Sequence, residues 1–305
     1  MWVLHRRLAL LLFVCASNVV ACASSHLLKL HVANAEFTVS VPDRELAASD
    51  AALATYVQRG ATAVSRYFGK FPLDRVNINI RAVPGSRVRF GRTTPANGGT
   101  IMMMIGRDAT AGTLNDDWTL THEMTHLAFP ATKEDNREWI AEGMATYVEP
   151  IARAQAGFLT SEYVWNQLVD DMHRGEPQPG DGGIDSAQSL GRVYWGGALF
   201  CLVADVEIRK ATNNKKGLQD ALRYIMSDKG TMEYEWPMAM ILMEGDQATG
   251  THVLQDVYAA WKDKPVQVDL NQLWRELGIE KKGSTVLFHD DAPLASIRIA
   301  ITSAH

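Results

Sequence analysis

The stretch TLTHEMTHLAFP (119–130) places His122 and His126 four residues apart, with Glu123 directly after the first. Four residues is just over one helical turn, so on a helix both imidazoles leave the same face. From there two ring nitrogens can reach one zinc ion at about 2.0–2.1 Å. Glu123 then stands at the edge of that face, able to act on a water in a fourth coordination position without occupying it. The same pattern arises by chance on ordinary helices, so a third protein ligand decides its meaning.

The tract REWIAEGMATYVEP (137–150) offers one. Glu142 follows His126 after 15 residues, room for a helix end, a loop and two turns of a returning antiparallel helix. Its neighbours Trp139, Ile140, Ala141, Met144, Ala145 and Tyr147 are mostly apolar. A carboxylate in such a stretch is expected to be buried, and a buried carboxylate needs a partner. Glu138 and Glu149 are the rival ligands by position.

Together, HEMTH and WIAEGMATYVE resemble the gluzincin metallopeptidases, in particular their aminopeptidase N-like branch. Members carry HExxH and then a Trp-Ile/Leu-x-Glu-Gly tract ending in Tyr-x-Glu, matched here by Trp139, Ile140, Glu142, Gly143, Ala145, Tyr147 and Glu149. The resemblance implies one zinc ion held by His122, His126 and Glu142. It also implies Glu123 as general base and Glu149 as a carboxylate supporting a ligand or the helix pair. The family usually has a longer spacer between second histidine and glutamate. The shortening falls in the loop, where a deletion is tolerated best.

A second likeness lies at GRVYWGGALFCLVADV (191–206), similar to the family's Tyr-x-Lys-Gly-Ala-Leu segment, in which the tyrosine donates a hydrogen bond to the oxyanion. Tyr194, Gly197 and Ala198 match, while Gly196 replaces the lysine. The implied chemistry is hydrolysis of a peptide bond by metal-activated water. Glu123 would move the proton and Tyr194 would hold the oxyanion. Aminopeptidases of this branch also carry a Gly-x-Met-Glu-Asn strand whose glutamate grips the substrate's α-amine. The strand expected in that place, GGTIMMMIG (98–106), has no acid before Asp108 and presents Met102, Met103 and Met104 instead. An edge strand there could pair with an extended peptide. The absent acid tilts the expectation towards an endopeptidase. A non-catalytic scaffold of the same fold, or a zinc hydrolase of another amide or ester, are the competing readings.

These residues need elements to hold them. LKLHVANAEFTVSVP (28–42) alternates as one or two strands, 45–68 is spaced for a helix, and VNINIRAV (76–83) is a strand. Residues 84–99 read as loop, and 100–106 as a strand. Asn115, Asp116 or Asp117 would cap a helix carrying Trp118 to Leu127. Further helices are expected over about 136–153, 161–173, 192–210, 216–227, 251–262 and 269–277. A terminal strand and a helix capped by Asp290 or Asp291 close the chain. The loop at 174–186 is either a lid or a surface connection. Strands first and helices afterwards give an α+β class; the resemblance implies a zincin-like, thermolysin-like fold. A single domain over 24–305 is expected, strand-rich over 24–114 and mainly helical over 115–305.

The chain of 305 residues has 47% hydrophobic residues and a net charge of −5 without a basic run, which argues against nucleic acid as a partner. At the N-terminus His5, Arg6 and Arg7 precede a short apolar stretch, LALLLFVCA (8–16), as in an export signal of residues 1–23. VVAC (19–22) resembles a lipobox that would lipidate Cys22 and anchor the protein to a membrane. ACA (21–23) equally fits cleavage before Ser24. A periplasmic or outer-membrane lipoprotein, or else a secreted protein, is expected. Cys201, in an apolar run, reads as an inert core residue.

Overall fold

The protein, as a computed structural model, is described over residues 26–41, 46–134 and 138–304. The segment read as an export signal, with Cys15 and Cys22, lies outside the described residues. Five strands form one sheet in the order β1 (His26–Val32), β2 (Ala35–Val41), β3 (Arg75–Val83), β5 (Thr100–Gly106), β4 (Val88–Thr94). β1 and β4 pair antiparallel with their neighbours, whereas β2, β3 and β5 run parallel. Helix α1 (Asp50–Phe68) makes the crossover from β2 to β3. Ser49 caps its first turn and Gly69 ends it at φ 85°, a conformation glycine adopts without a Cβ penalty.

The remainder is mainly helical: α2 (Ala111–Asp116), α3 (Thr119–His126), α4 (Glu138–Gln155), α5 (Ser161–Asp171), α6 (Gly197–Ala211), α7 (Leu218–Ser227), α8 (Met238–Thr249), α9 (Val253–Trp261), α10 (Leu270–Glu276) and α11 (Ala295–Thr302). A short pair, β6 (Ala131–Thr132) with β7 (Glu235–Trp236), and a hairpin, β8 (Ile279–Lys282) with β9 (Thr285–Phe288), complete it. The molecule is therefore α+β, strand-rich at its N-terminal end and helical beyond. Among the described residues no helix is long and apolar enough to cross a membrane. α4 is buried nearly all round, from Trp139 to Gln155, as a central helix must be. It continues through Pro150, which cannot donate to the carbonyl of Thr146 one turn back.

Two expectations for the sheet are overturned. The 84–99 segment is not all loop, because it contains β4. That strand is short, partly exposed on both faces and interrupted by Gly91, so its alternation is faint. In consequence 100–106 is not an edge strand: β5 lies between β3 and β4, and β4 is the outer strand on this side. Met103 is fully buried. Met102 and Met104 pair with Arg92 and Phe90 on the opposite face of the sheet, turned away from the core. They line no site beside α3.

Three smaller corrections concern helices. Asn115 and Asp116 end α2 rather than cap α3. Asp117 does the capping, its carboxylate accepting from Leu120 N at 3.3 Å and from Thr119 Oγ1 at 2.9 Å. Helix α8 was not foreseen at all. The expected 192–210 helix opens with a π-helical turn, Gly191–Gly196, before α6.

Candidate active site

α3 and α4 bring His122, His126 and Glu142 together. His122 Nε2 lies 3.2 Å from Glu142 Oε2 and 3.2 Å from His126 Nε2, and His126 Nε2 lies 3.3 Å from the same carboxylate oxygen. A tetrahedral zinc with bonds of about 2.0–2.1 Å sets its ligand atoms roughly 3.3 Å apart. The triangle has that size already, so the donor set fits zinc in chemistry and in spacing. Among the described residues it is the one such cluster of His, Cys, Asp or Glu. Of the rivals, Glu138 is exposed at the start of α4 and Glu149 is buried elsewhere on it.

The electrostatics suit a cation. Burial raises the Glu142 carboxyl, but hydrogen bonds from His122 and His126 outweigh it and hold the group well below the usual carboxylate range. Burial pulls His122 down, towards the neutral imidazole that ligates metals. Burial opposes His126 too, yet Glu142 and Glu123 raise it overall. His122 Nδ1 and Thr146 Oγ1 are buried without a partner among the described residues. Both residues line a cavity of about 580 Å³ whose walls include Trp118, Glu149, Leu190, Tyr194 and Trp195.

Glu123 is buried on α3, under β4. Thr93 on that strand donates to Glu123 Oε2 at 2.7 Å or to the Glu123 backbone carbonyl at 2.9 Å. Two residues earlier stands Gly91. A Cβ there would fall 2.6 Å from Glu123 Cγ and 2.8 Å from Oε1, so only glycine lets the strand come this close. Neither Thr93 nor Gly91 was picked out from the sequence, and no local signal marks them.

Tyr194 is half-buried in the π-helical turn, its ring stacked on His122 with centroids 6.1 Å apart. Burial, then the charges of Glu142 and Glu123, push its hydroxyl up to about 12, so it stays a hydrogen-bond donor. The turn is placed by a seam of glycines. A Cβ on Gly143 would lie 2.2 Å from the Gly197 backbone, and one on Gly197 would lie 2.0 Å from the Trp139 carbonyl. α4 and α6 thus meet backbone to backbone, one residue after Glu142 and three after Tyr194. Buried Arg192 ties the same turn to the 174–186 loop by donating to the Gly175 carbonyl at 2.5 Å. At the loop's other end Asp185 accepts from Trp139 Nε1 at 3.1 Å and from Tyr258 OH at 2.8 Å. Fastened at both ends, the segment is a braced connection.

Glu149 touches none of the three metal-facing groups through a hydrogen bond among the described residues; its Oε1 accepts from Arg153 Nη1 at 3.0 Å. Burial pushes its carboxyl up to about 7 even though Arg153 draws it down. Cys201 is free and buried, and burial raises its thiol further.

Comparison with known proteins finds likenesses in sequence and in fold. The sequence profile of the M61 glycyl aminopeptidase family matches residues 118–215, the third of the chain that carries His122, Glu123, His126, Glu142 and Tyr194 but not Gly91 or Thr93. No curated protein matches the sequence. In fold the chain is similar to an aminopeptidase N family protein from Idiomarina loihiensis, with TM-score 0.62 and 14% identity over 84% of this chain and 49% of that one. It is also similar to a mutant two-domain M1 zinc metallopeptidase bound to L-arginine, with TM-score 0.52 and 14% identity over 81% and 53% of the two chains. A third likeness is to a mutant M1 zinc metallopeptidase from Deinococcus radiodurans bound to a Tyr-Ser-Ala substrate, with TM-score 0.51 and 12% identity over 80% and 53%. The chain spans about half the length of these solved structures. At such identities the likeness is one of fold: the α+β architecture is similar to about half of each of these structures.

Proposed function

We propose that the protein is a zinc-dependent peptidase, with His122, His126 and Glu142 as ligands. The observation that carries this reading is the ligand triangle, whose 3.2–3.3 Å sides match a tetrahedral zinc. A zinc ion held there would supply Lewis acidity and would acidify the attacking water. Glu123, beside the first ligand, accepts the proton of the attacking water and returns it to the leaving amine. Tyr194 donates to the carbonyl oxygen as negative charge develops on it. Trp118 and Trp195 offer apolar walls for a side chain in the adjoining cavity.

Two readings of the substrate each have an observation behind them. The matched profile describes glycyl aminopeptidases, which favours release of N-terminal residues. Against it, the strand that flanks Glu123, VRFGRTT, carries no carboxylate to grip an α-amine, which favours cleavage within a peptide. As an edge strand it is suited to pair with an extended substrate. Export, with Cys22 lipidated or the chain cut before Ser24, belongs to the proposal on sequence grounds, and the intact mass of the mature protein tests it. Metal analysis of purified protein, followed by peptides with free and with blocked N-termini, tests the rest. Stoichiometric zinc and cleavage are expected. Protein that takes up no zinc, or zinc-loaded protein inert towards every peptide, would refute the function. Cleavage confined to free N-termini would decide for the aminopeptidase.

A further inference from the structure

We propose that Thr93 is a positioning residue for Glu123, holding one carboxylate oxygen from the edge strand so that the other stays aimed at the proton it must receive. The proposal rests on the reading of Glu123 as the general base. β4 sets its alternate residues towards α3. Gly91 and Thr93 pair with Met103 and Ile101 of β5, and both partners face the core with no exposed surface. The strand therefore turns two consecutive inward positions towards one glutamate: a glycine that makes room and a threonine that donates.

The two contacts are complementary. Thr93 Oγ1 lies 2.7 Å from Glu123 Oε2. A hydrogen bond to an ionised carboxylate is among the stronger ones, and it fixes direction as well as distance. The other oxygen, Oε1, lies against the Gly91 backbone and has no hydrogen bond among the described residues. It is the oxygen free to take a proton. The Glu123 backbone carbonyl, 2.9 Å from the same hydroxyl, competes for its single proton, and the shorter contact to the ionised oxygen takes it. The Glu123 carboxylate is thus held between its own helix and the strand with one oxygen occupied, and the side chain's three torsions would otherwise let it swing.

A purely structural role predicts something else. The Glu123 carbonyl lies in the last turn of α3, where carbonyls lack intrahelical donors. If Thr93 served only to satisfy it, loss of the hydroxyl would lower Tm and leave turnover alone. The variants Thr93→Ala, Thr93→Val and Thr93→Ser separate the two. In zinc-loaded protein, Thr93→Ala and Thr93→Val are expected to lower kcat about 10- to 100-fold with KM changed less than about twofold. Zinc content should be unchanged. Thr93→Ser, which keeps the hydroxyl, should recover to within about threefold of wild type. Crystal structures of the metal-loaded forms supply a readout apart from turnover: one Glu123 carboxylate orientation in wild type and Thr93→Ser, and a rotated or divided one in Thr93→Ala. Wild-type kcat in Thr93→Ala, equal losses in Thr93→Ser and Thr93→Ala, or an unmoved Glu123 carboxylate would overturn the proposal. If wild-type protein cleaves no peptide, the peptidase reading fails, and the crystallographic comparison still decides what Thr93 does.

Discussion

The candidate site is bounded by helices on one side and, at Glu123, by a strand on the other, a helical wall and a strand wall held in different ways. On the helical wall the groups that would hold a metal come from α3 and α4. Their spacing is set by helix geometry and by the backbone contact of Gly143 with Gly197. On the strand wall nothing would touch the metal. β4 instead approaches Glu123 at Gly91 and fastens it through Thr93. The contrast separates two tasks. The helices define where a cation can sit, and the strand defines how the group beside it is aimed. Damage to one wall should therefore show up as lost metal or lost stability, and damage to the other as lost turnover.

The sharpest break comes from the ligands. His126→Ala or Glu142→Ala should weaken zinc binding more than about 100-fold and abolish hydrolysis, since removing even an outer support of a zinc ligand costs about 10–100-fold; metal analysis after dialysis checks it. Glu123→Gln should keep the metal and lose about 10²–10⁴-fold in kcat. Full activity in that variant would remove Glu123 from the mechanism. Gly91→Ala should leave zinc bound yet cost on the order of 10²-fold in kcat, because displacement of a catalytic group by about 1 Å has that effect. Gly197→Ala acts on the opposite wall. Forcing a methyl into the α4–α6 seam should destabilise the fold by about 1–3 kcal/mol or more, read as a fall in Tm before any kinetic change. If Gly91→Ala lowered Tm as much as Gly197→Ala while sparing kcat, the division between the walls would not hold.

A separate test concerns Glu149. Its carboxyl titrates near 7 in the folded protein against an ordinary 4.5. Between those values the folded state keeps a proton that the unfolded state has released. Stability should therefore be highest below about pH 4.5 as far as this group is concerned. It should fall as pH rises through 7 and then level off. Glu149→Gln should flatten that part of the pH dependence in denaturant midpoints measured from pH 4.5 to 8. An identical profile in the variant would show that Glu149 titrates normally.

How much of this was legible in the sequence divides along the same line. Helical spacing alone puts His122 and His126 on one face, whereas Glu142 stands out from Glu138 and Glu149 only through its apolar neighbours and the family resemblance. Tyr194 was reached through resemblance, but the π-helical turn that presents it was not, because its residues read as ordinary helix. Thr93 and Gly91 stayed hidden, since they meet Glu123 only after β4 pairs with β5, and that register is a tertiary fact. The polar, glycine-broken VRFGRTT left too faint an alternation to be called a strand. The methionines of β5 misled for the converse reason. A run of apolar residues shows that a strand is buried without showing which neighbours it has.

The glycine seam also explains how the chain tolerates a short link between its second histidine and Glu142. α4 takes its position from α6, to which it is clasped at Gly143 and Gly197, and α6 in turn from the Asp205 network that joins Tyr147, Arg209 and Leu218. The connection from α3 is fastened separately, by β6 against β7 and by the Glu134 carboxylate accepting from Met238 N at 3.0 Å. Residues gained or lost outside those contacts would leave the distance between the ligands unchanged.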